Sequence, residues 1–139
     1  MGFLIDTCLI SELRRPTPSE SVRAWFQICE ESNLFISALS IGEIKYGIQR
    51  LPDGSKKDDL QTWFNQIVDS FSNRILPVNE QICISWALMK AAAESKGFQL
   101  PVIDGLLAAT AKEHNLVFVT RNTKDFELTN INMINPWNK

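Results

Sequence analysis

The sequence predicts an α/β fold, a three-layer α/β/α domain around a mainly parallel central sheet of four to five strands. Two observations predict it. Short apolar runs of strand length alternate with longer runs of helical period along the whole chain. The 139 residues, 45% hydrophobic and 22% charged, suit one domain (1–139) with its own core, and no repeat, low-complexity tract or linker interrupts them.

The elements follow in order. Gly2 to Ile5 reads as a short buried strand. Thr7 to Arg15 reads as a helix with Leu9, Ile10 and Leu13 inward, closed by Pro16 and Pro18. Ser19-Glu20-Ser21 opens a second helix with Val22, Trp25, Phe26 and Cys29 on one stripe. Asn33 to Ser37 is the second strand. Ser40 then opens a third helix with Ile41, Ile44, Ile48 and Leu51 as a narrow apolar seam. Ser40 and Glu43 have the spacing of a capping box, a structural role that competes with any chemical one for Glu43.

Pro52-Asp53-Gly54-Ser55 is a turn. Lys56 to Phe71 is the clearest amphipathic helix, with Leu60, Trp63, Phe64, Ile67, Val68 and Phe71 on one face. Arg74 to Val78 is the third strand. Asn79 or Glu80 starts a helix with Ile82, Trp86, Met89 and Ala93 inward, ending near Gly97. Pro101 to His114 is a helix rich in small residues. Leu116 to Thr120 is the fourth strand, and Asn130 to Ile134 a short fifth.

Four acids stand out against this frame. Asp6, Glu43, Asp104 and Asp125 each sit where an apolar run meets a turn or an early helical turn. Carboxylates in apolar company are costly unless something binds them. In open parallel sheets, sites gather outside the carboxyl ends of the strands, so all four can share one edge. Gathered there, their repulsion calls for a hard cation, and such a cation suggests phosphate chemistry.

Composition narrows the alternatives. The net charge of −2 excludes a surface coated in positive charge for nucleic acid, but not a local basic rim. Cys8, Cys29 and Cys83 are far apart and odd in number, which argues against a disulfide framework or a zinc site and for a reducing cytoplasm. The only histidine, His114, lies in a polar stretch and reads as a solvated helix end. No apolar run reaches transmembrane length, so no membrane association is expected. Asp6 stops the opening run too early for a signal peptide and stands where myristoylation wants Ser or Thr.

At the acidic residues the chain resembles the PIN-domain family, in particular the VapC-like toxins of type II toxin–antitoxin systems. The matching pieces are Leu4-Ile5-Asp6-Thr7-Cys8-Leu9-Ile10-Ser11-Glu12-Leu13 and the run from Ile36 to Ile48 around Glu43. They continue with Asp104-Gly105-Leu106-Leu107-Ala108-Ala109-Thr110-Ala111 and Val119-Thr120-Arg121-Asn122-Thr123-Lys124-Asp125-Phe126. The closing Ile134-Asn135-Pro136-Trp137 is similar to a VapC subgroup. One departure is Cys8, where such proteins usually carry Asn, which puts a polar contact from that position in doubt.

The resemblance implies a metal-dependent ribonuclease, with Mg2+ (Mn2+ as a substitute) held by Asp6, Asp104, Glu43 and Asp125. It places Asp6 and Asp104 at the centre. Glu43 and Asp125 are then left to bind a second ion, directly or through water, or to orient the attacking water. Thr7, Ser40, Thr120 and Asn122 are the polar neighbours expected around them. It also implies a small VapB-like antitoxin as partner, an RNA substrate and a homodimer, for which the third-helix and Trp63 faces offer surface. Lys45, Arg50, Arg121, Lys124, Arg14 and Arg15 are available for RNA phosphates, with solvated charge as the ordinary fate of each. Trp25, Trp63 and Trp86 read as packing, and Trp137 is left open. Cys8 reads as packing rather than as a nucleophile, since no histidine is tied to it. The alternatives are an RNA-processing PIN nuclease without a toxin role, a catalytically silent RNA- or protein-binding module, and a phosphotransfer α/β domain. An Asp-x-Asp phosphatase would need Asp where Cys8 stands.

Overall fold

A computed structural model describes residues 2–138; Met1 and Lys139 lie outside the described residues. The chain opens with strand β1 (Phe3–Ile5), then helices α1 (Thr7–Arg14) and α2 (Glu20–Ile28). A short 3-10 turn (Glu31–Asn33) leads into β2 (Leu34–Ser37), followed by α3 (Ala38–Gln49) and α4 (Ser55–Ser70). Next come β3 (Ile75–Leu76), α5 (Glu80–Ser95), α6 (Val102–Glu113) and β4 (Val117–Val119). A 3-10 helix (Thr123–Thr129) precedes β5 (Met133–Ile134).

All strand pairs are parallel, and the five strands lie in the order β3-β2-β1-β4-β5. The α/β expectation and its parallel sheet are met. The chain first builds outward from β1 to β3, then returns to the other side of β1 for β4 and β5. The boundary between β1 and β4 is therefore a topological switch point, where connections leave in opposite directions and open a crevice at the strands' carboxyl ends.

Two cores cover the two faces. Leu4, Ile82, Met89, Leu107 and Phe118 gather on one, with α5 and α6. Ile5, Leu9, Ile36, Ile44 and Val119 gather on the other, with α1, α3 and the half-covered Leu60, Trp63 and Phe64 of α4. Alternation along β1 sends Leu4 to the first core and Ile5 to the second. Asn79 caps α5 by accepting the Ile82 N–H at 3.0 Å, as its placement before the helix suggests.

Two sequence expectations are corrected. Leu13 is 40% exposed, while Glu12 beside it is only 6% exposed. The Glu12 carboxylate accepts the Ser19 N–H at 2.8 Å and the Arg15 guanidinium at 3.2 Å, closing the turn between α1 and α2 and turning Leu13 outward. The Ser19 N–H bond, above all, holds the Glu12 carboxyl below its ordinary range. The third helix begins at Ala38 rather than Ser40, because Ser37 caps it by accepting the Leu39 N–H at 3.0 Å. The faces of α3 and α4 pack partly against the second core, with Ile41, Leu60, Trp63 and Phe64 half-buried. The strongly exposed apolar side chains outside them include Ile84 and Leu88 of α5 and Ile28 of α2.

Candidate active site

Asp6 follows β1 directly and caps α1, with its Oδ1 accepting the Thr7 N–H at 2.8 Å. Its Oδ2 accepts the Thr120 hydroxyl at 2.7 Å. Thr120 is fully buried and follows β4, so this bond spans the switch point between neighbouring strands. The Thr120 oxygen also accepts the Asn122 N–H at 3.1 Å, and the Asn122 carbonyl accepts the Asp125 N–H at 3.0 Å. A chain of hydrogen bonds thus runs from the Asp6 carboxylate into the 3-10 helix that carries Asp125. Asn122 contributes its backbone to that chain.

Glu43 arrives from α3. With Ser37 as the cap, Ser40 is inside the helix and fully buried, so the capping box read from Ser40 and Glu43 does not form. The Thr7 hydroxyl lies 2.7 Å from Glu43 Oε1 and 2.9 Å from Ser40 Oγ. It has one proton for two acceptors, and the carboxylate is the stronger. Thr7 therefore serves both acids: its N–H holds Asp6 and its hydroxyl reaches Glu43.

Asp104 stands in the first turn of α6, half-buried, and its carboxyl accepts no hydrogen bond among the described residues. Burial raises its pKa first, and the charges of Asp6, Asp125 and Glu43 raise it further. The fold brings all four acids into one electrostatic neighbourhood. Asp125 is the most exposed of them.

Helix α6 comes close to its neighbour at the residue after Asp104. A Cβ on Gly105 would lie 2.7 Å from Trp86 Cδ1 and 3.1 Å from Leu100 Cδ2. The Trp86 indole N–H is buried against this helix without an acceptor among the described residues. The flat ring fits only because position 105 has no side chain.

Sequence reasoning missed the placement of Cys8. Its Sγ donates to Asp6 Oδ2 at 3.5 Å, so the thiol borders the acidic cluster. Its pKa rises to about 11, by burial first and then by the Asp6 charge. A thiol with that pKa leaves about one thiolate in a thousand at pH 8, which is no nucleophile. The three cysteines are free, and Cys83 is the exposed one. Iodoacetamide at pH 8 is expected to alkylate Cys83 well before Cys8 in the folded protein, as read by peptide mapping. Equal rates would contradict the environment described for Cys8. The only clue in the sequence was its position two residues after Asp6. His114 caps the end of α6 and is exposed, away from these contacts.

The donor set fits a hard divalent cation. All four groups are carboxylates, and they crowd one sheet edge enough to disfavour ionisation of Asp104. Among the described residues, no three His, Cys, Asp or Glu side chains form a ready-made metal cage.

A pocket of about 270 Å³ opens beside this cluster, lined by Thr7, Arg14, Glu43, Ile48, Leu60 and Trp63 among others. It joins the acidic edge to the apolar seam between α1, α3 and α4.

The sequence matches the PIN domain family over residues 3–131. It is 36% identical to Toxin FitB of Neisseria gonorrhoeae over 136 residues, covering 97% of this chain and 98% of that protein. It is 31% identical to VapC ribonuclease Y4jK of Sinorhizobium fredii, covering 97% of each. Among solved structures, FitAcB from Neisseria gonorrhoeae superposes with a TM-score of 0.93 at 36% identity, covering 99% of both chains.

Proposed function

Because the chain belongs to the PIN domain family, we propose that it is a Mg2+-dependent endoribonuclease that acts as the toxin of a toxin–antitoxin pair in the cytoplasm. The observation that carries this reading is the convergence at the switch point. Asp6 is fixed there by Thr7 and Thr120, and burial, then the charges of Asp6, Asp125 and Glu43, raise the Asp104 pKa. The likeness to proteins named as a toxin and a ribonuclease supports the substrate class and the role.

Asp6 and Asp104 would hold the ion. Bound Mg2+ supplies charge neutralisation on a non-bridging phosphate oxygen and a more acidic water. The protein's own part is positional. Thr7 and Thr120 hold both Asp6 oxygens from the protein side, so the carboxylate cannot swing away. Glu43, bonded to Thr7, and the exposed Asp125 are the groups left to orient the attacking water and take its proton.

A nuclease that attacks its own cell's RNA must be restrained, and a small antitoxin is the partner this reading requires. The pocket beside Glu43 offers an apolar floor from Ile44, Leu60 and Trp63 next to the acidic edge. An apolar partner segment that directs a basic side chain to the acids would fill it. Homodimerisation belongs to the same reading. No helix among the described residues is long and apolar enough to cross a membrane.

The test is cleavage of structured RNAs by the purified protein in Mg2+, in Mn2+ and in EDTA. Cleavage is expected with either metal and absent in EDTA. Metal-independent cleavage would overturn the mechanism, and no cleavage of a broad RNA panel would favour a silent binding module. Induction in a bacterial host separates toxin from processing enzyme. Growth arrest relieved by co-expressing the neighbouring small gene supports the toxin, and harmless expression of active enzyme supports the processing role.

A further inference from the structure

An acidic site must still hold a polyanion, and the chain's net charge of −2 gives no general attraction. Some cations near the acids are already engaged, while Arg14, Lys124 and Arg121 make no ion pair among the described residues. Arg15 pairs with Glu12, Lys45 bonds Gln61, and Arg74 bonds the carbonyls of Glu31, Leu34 and Ser70. Arg50 stacks on Tyr46, but at the far end of α3, about 18 Å along the helix from its start.

Arg121 is different. It follows Thr120, the residue bonded to Asp6, at the carboxyl edge of the sheet. Its side chain is exposed and makes no salt bridge among the described residues, although its charge reaches the Glu12 carboxylate. Its guanidinium lies over the Trp137 ring, 5.0 Å from the centroid. The Asn135 side chain locks this pairing from the backbone. Its Nδ2 donates to the Arg121 carbonyl at 3.3 Å, and its Oδ1 accepts the Trp137 N–H at 3.0 Å. The Ser21 hydroxyl donates to the Trp137 carbonyl at 3.3 Å, tying the ring to α2. A guanidinium over an aromatic ring can keep N–H donors free for a phosphate.

We infer that Arg121, held over the Trp137 ring and beside Asn135, is a substrate-anchoring residue that grips a phosphate of the RNA strand beside the carboxylate site. The inference rests on the ribonuclease reading and adds to it the residue that holds the strand. Arg121 touches substrate; Trp137 and Asn135 act through it as positioning residues.

The test is binding of a fluorescein-labelled, mixed-sequence single-stranded RNA in Mg2+ buffer over a range of NaCl concentrations. The parent protein carries Asp104→Asn so that RNA survives the measurement. Adding Arg121→Gln is expected to weaken binding about tenfold at low salt. It should also flatten the slope of log K against log salt by about 0.7, the loss of one phosphate contact on a single strand. The melting temperature should stay within ~2 °C of the parent, as for most exposed substitutions. Arg121→Lys keeps the charge and should keep the slope while recovering only part of the affinity. Trp137→Leu should weaken binding several-fold although Arg121 remains. An unchanged affinity and slope in Arg121→Gln would overturn the inference, and a lowered melting temperature alongside would make the stack a staple for the C-terminal segment only. Absence of RNA binding by the parent itself is a different result, which overturns the ribonuclease reading and this inference with it.

Discussion

Asp104→Asn is expected to abolish RNA cleavage while making the metal-free protein more stable at neutral pH. The first effect follows from losing a ligand at a site where the ion stabilises the transition state by several kcal/mol. A loss of at least about a hundredfold is the result to look for. The second follows from the direction of the pKa. Burial, then Asp6, Asp125 and Glu43, push the Asp104 carboxyl above its ordinary value of 3.8. A carboxyl raised in the folded state favours folding below the unfolded value and loses that contribution as pH rises through the folded one. At pH 7 the charged Asp104 therefore opposes the metal-free fold, and a neutral Asn removes the opposition. The gain should vanish in acid, below the unfolded value. Mg2+ should raise the melting temperature of the wild type and leave that of Asp104→Asn nearly unmoved. Thermal melts at two pH values, with and without Mg2+, decide this. A variant less stable than wild type at pH 7 without metal would mean that Asp104 is a structural acid.

Gly105→Leu is expected to cost ~3 kcal/mol or more, because overpacking a filled core is destabilising even when the added group is apolar. Even the first added carbon meets the Trp86 ring at 2.7 Å, and the ring is wide and rigid. A Cβ on Gly47 of α3 would meet nothing within 4 Å. Gly47→Ala should therefore stabilise by about 1 kcal/mol, the usual gain of Ala over Gly in a helix. The two substitutions test opposite signs in one denaturation experiment. Because Asp104 precedes Gly105 in the same helical turn, the Leu variant should also lose cleavage beyond what unfolding explains. A Leu variant with wild-type stability would show that α6 and α5 can separate freely.

Much of the fold was legible because burial and period agree. The strand runs are apolar enough to be covered on both faces, and Asn79 announces the start of α5. The acids were legible for the opposite reason, as charges that their apolar surroundings do not explain. What stayed hidden depended on which of two similar residues the backbone uses. Ser37 and Ser40 are both good caps, and only the end of β2 decides for Ser37. Leu13 and Glu12 exchange places because the turn after α1 brings the Ser19 N–H to Glu12, a contact with no trace in the hydrophobic period. The 3-10 helix that carries Asp125 is short and polar, so no periodicity marks it. The pairing of Arg121 with Trp137 joins the ends of β4 and β5 through a side-chain amide, and the sequence shows only its parts.

The hydrogen bond between Asp6 and Thr120 joins residues 114 positions apart. Its timing during synthesis follows from that separation. A ribosome adding about 5–20 residues per second takes roughly ten seconds to pass from the first partner to the second. Through that interval the nascent chain displays Asp6 with neither its clasp nor the Asp125 loop. Fragments released early carry half a centre and no means to complete it. The order of strands thus delays the joining of Asp6 to its clasp until Thr120 and the Asp125 loop behind it have been made.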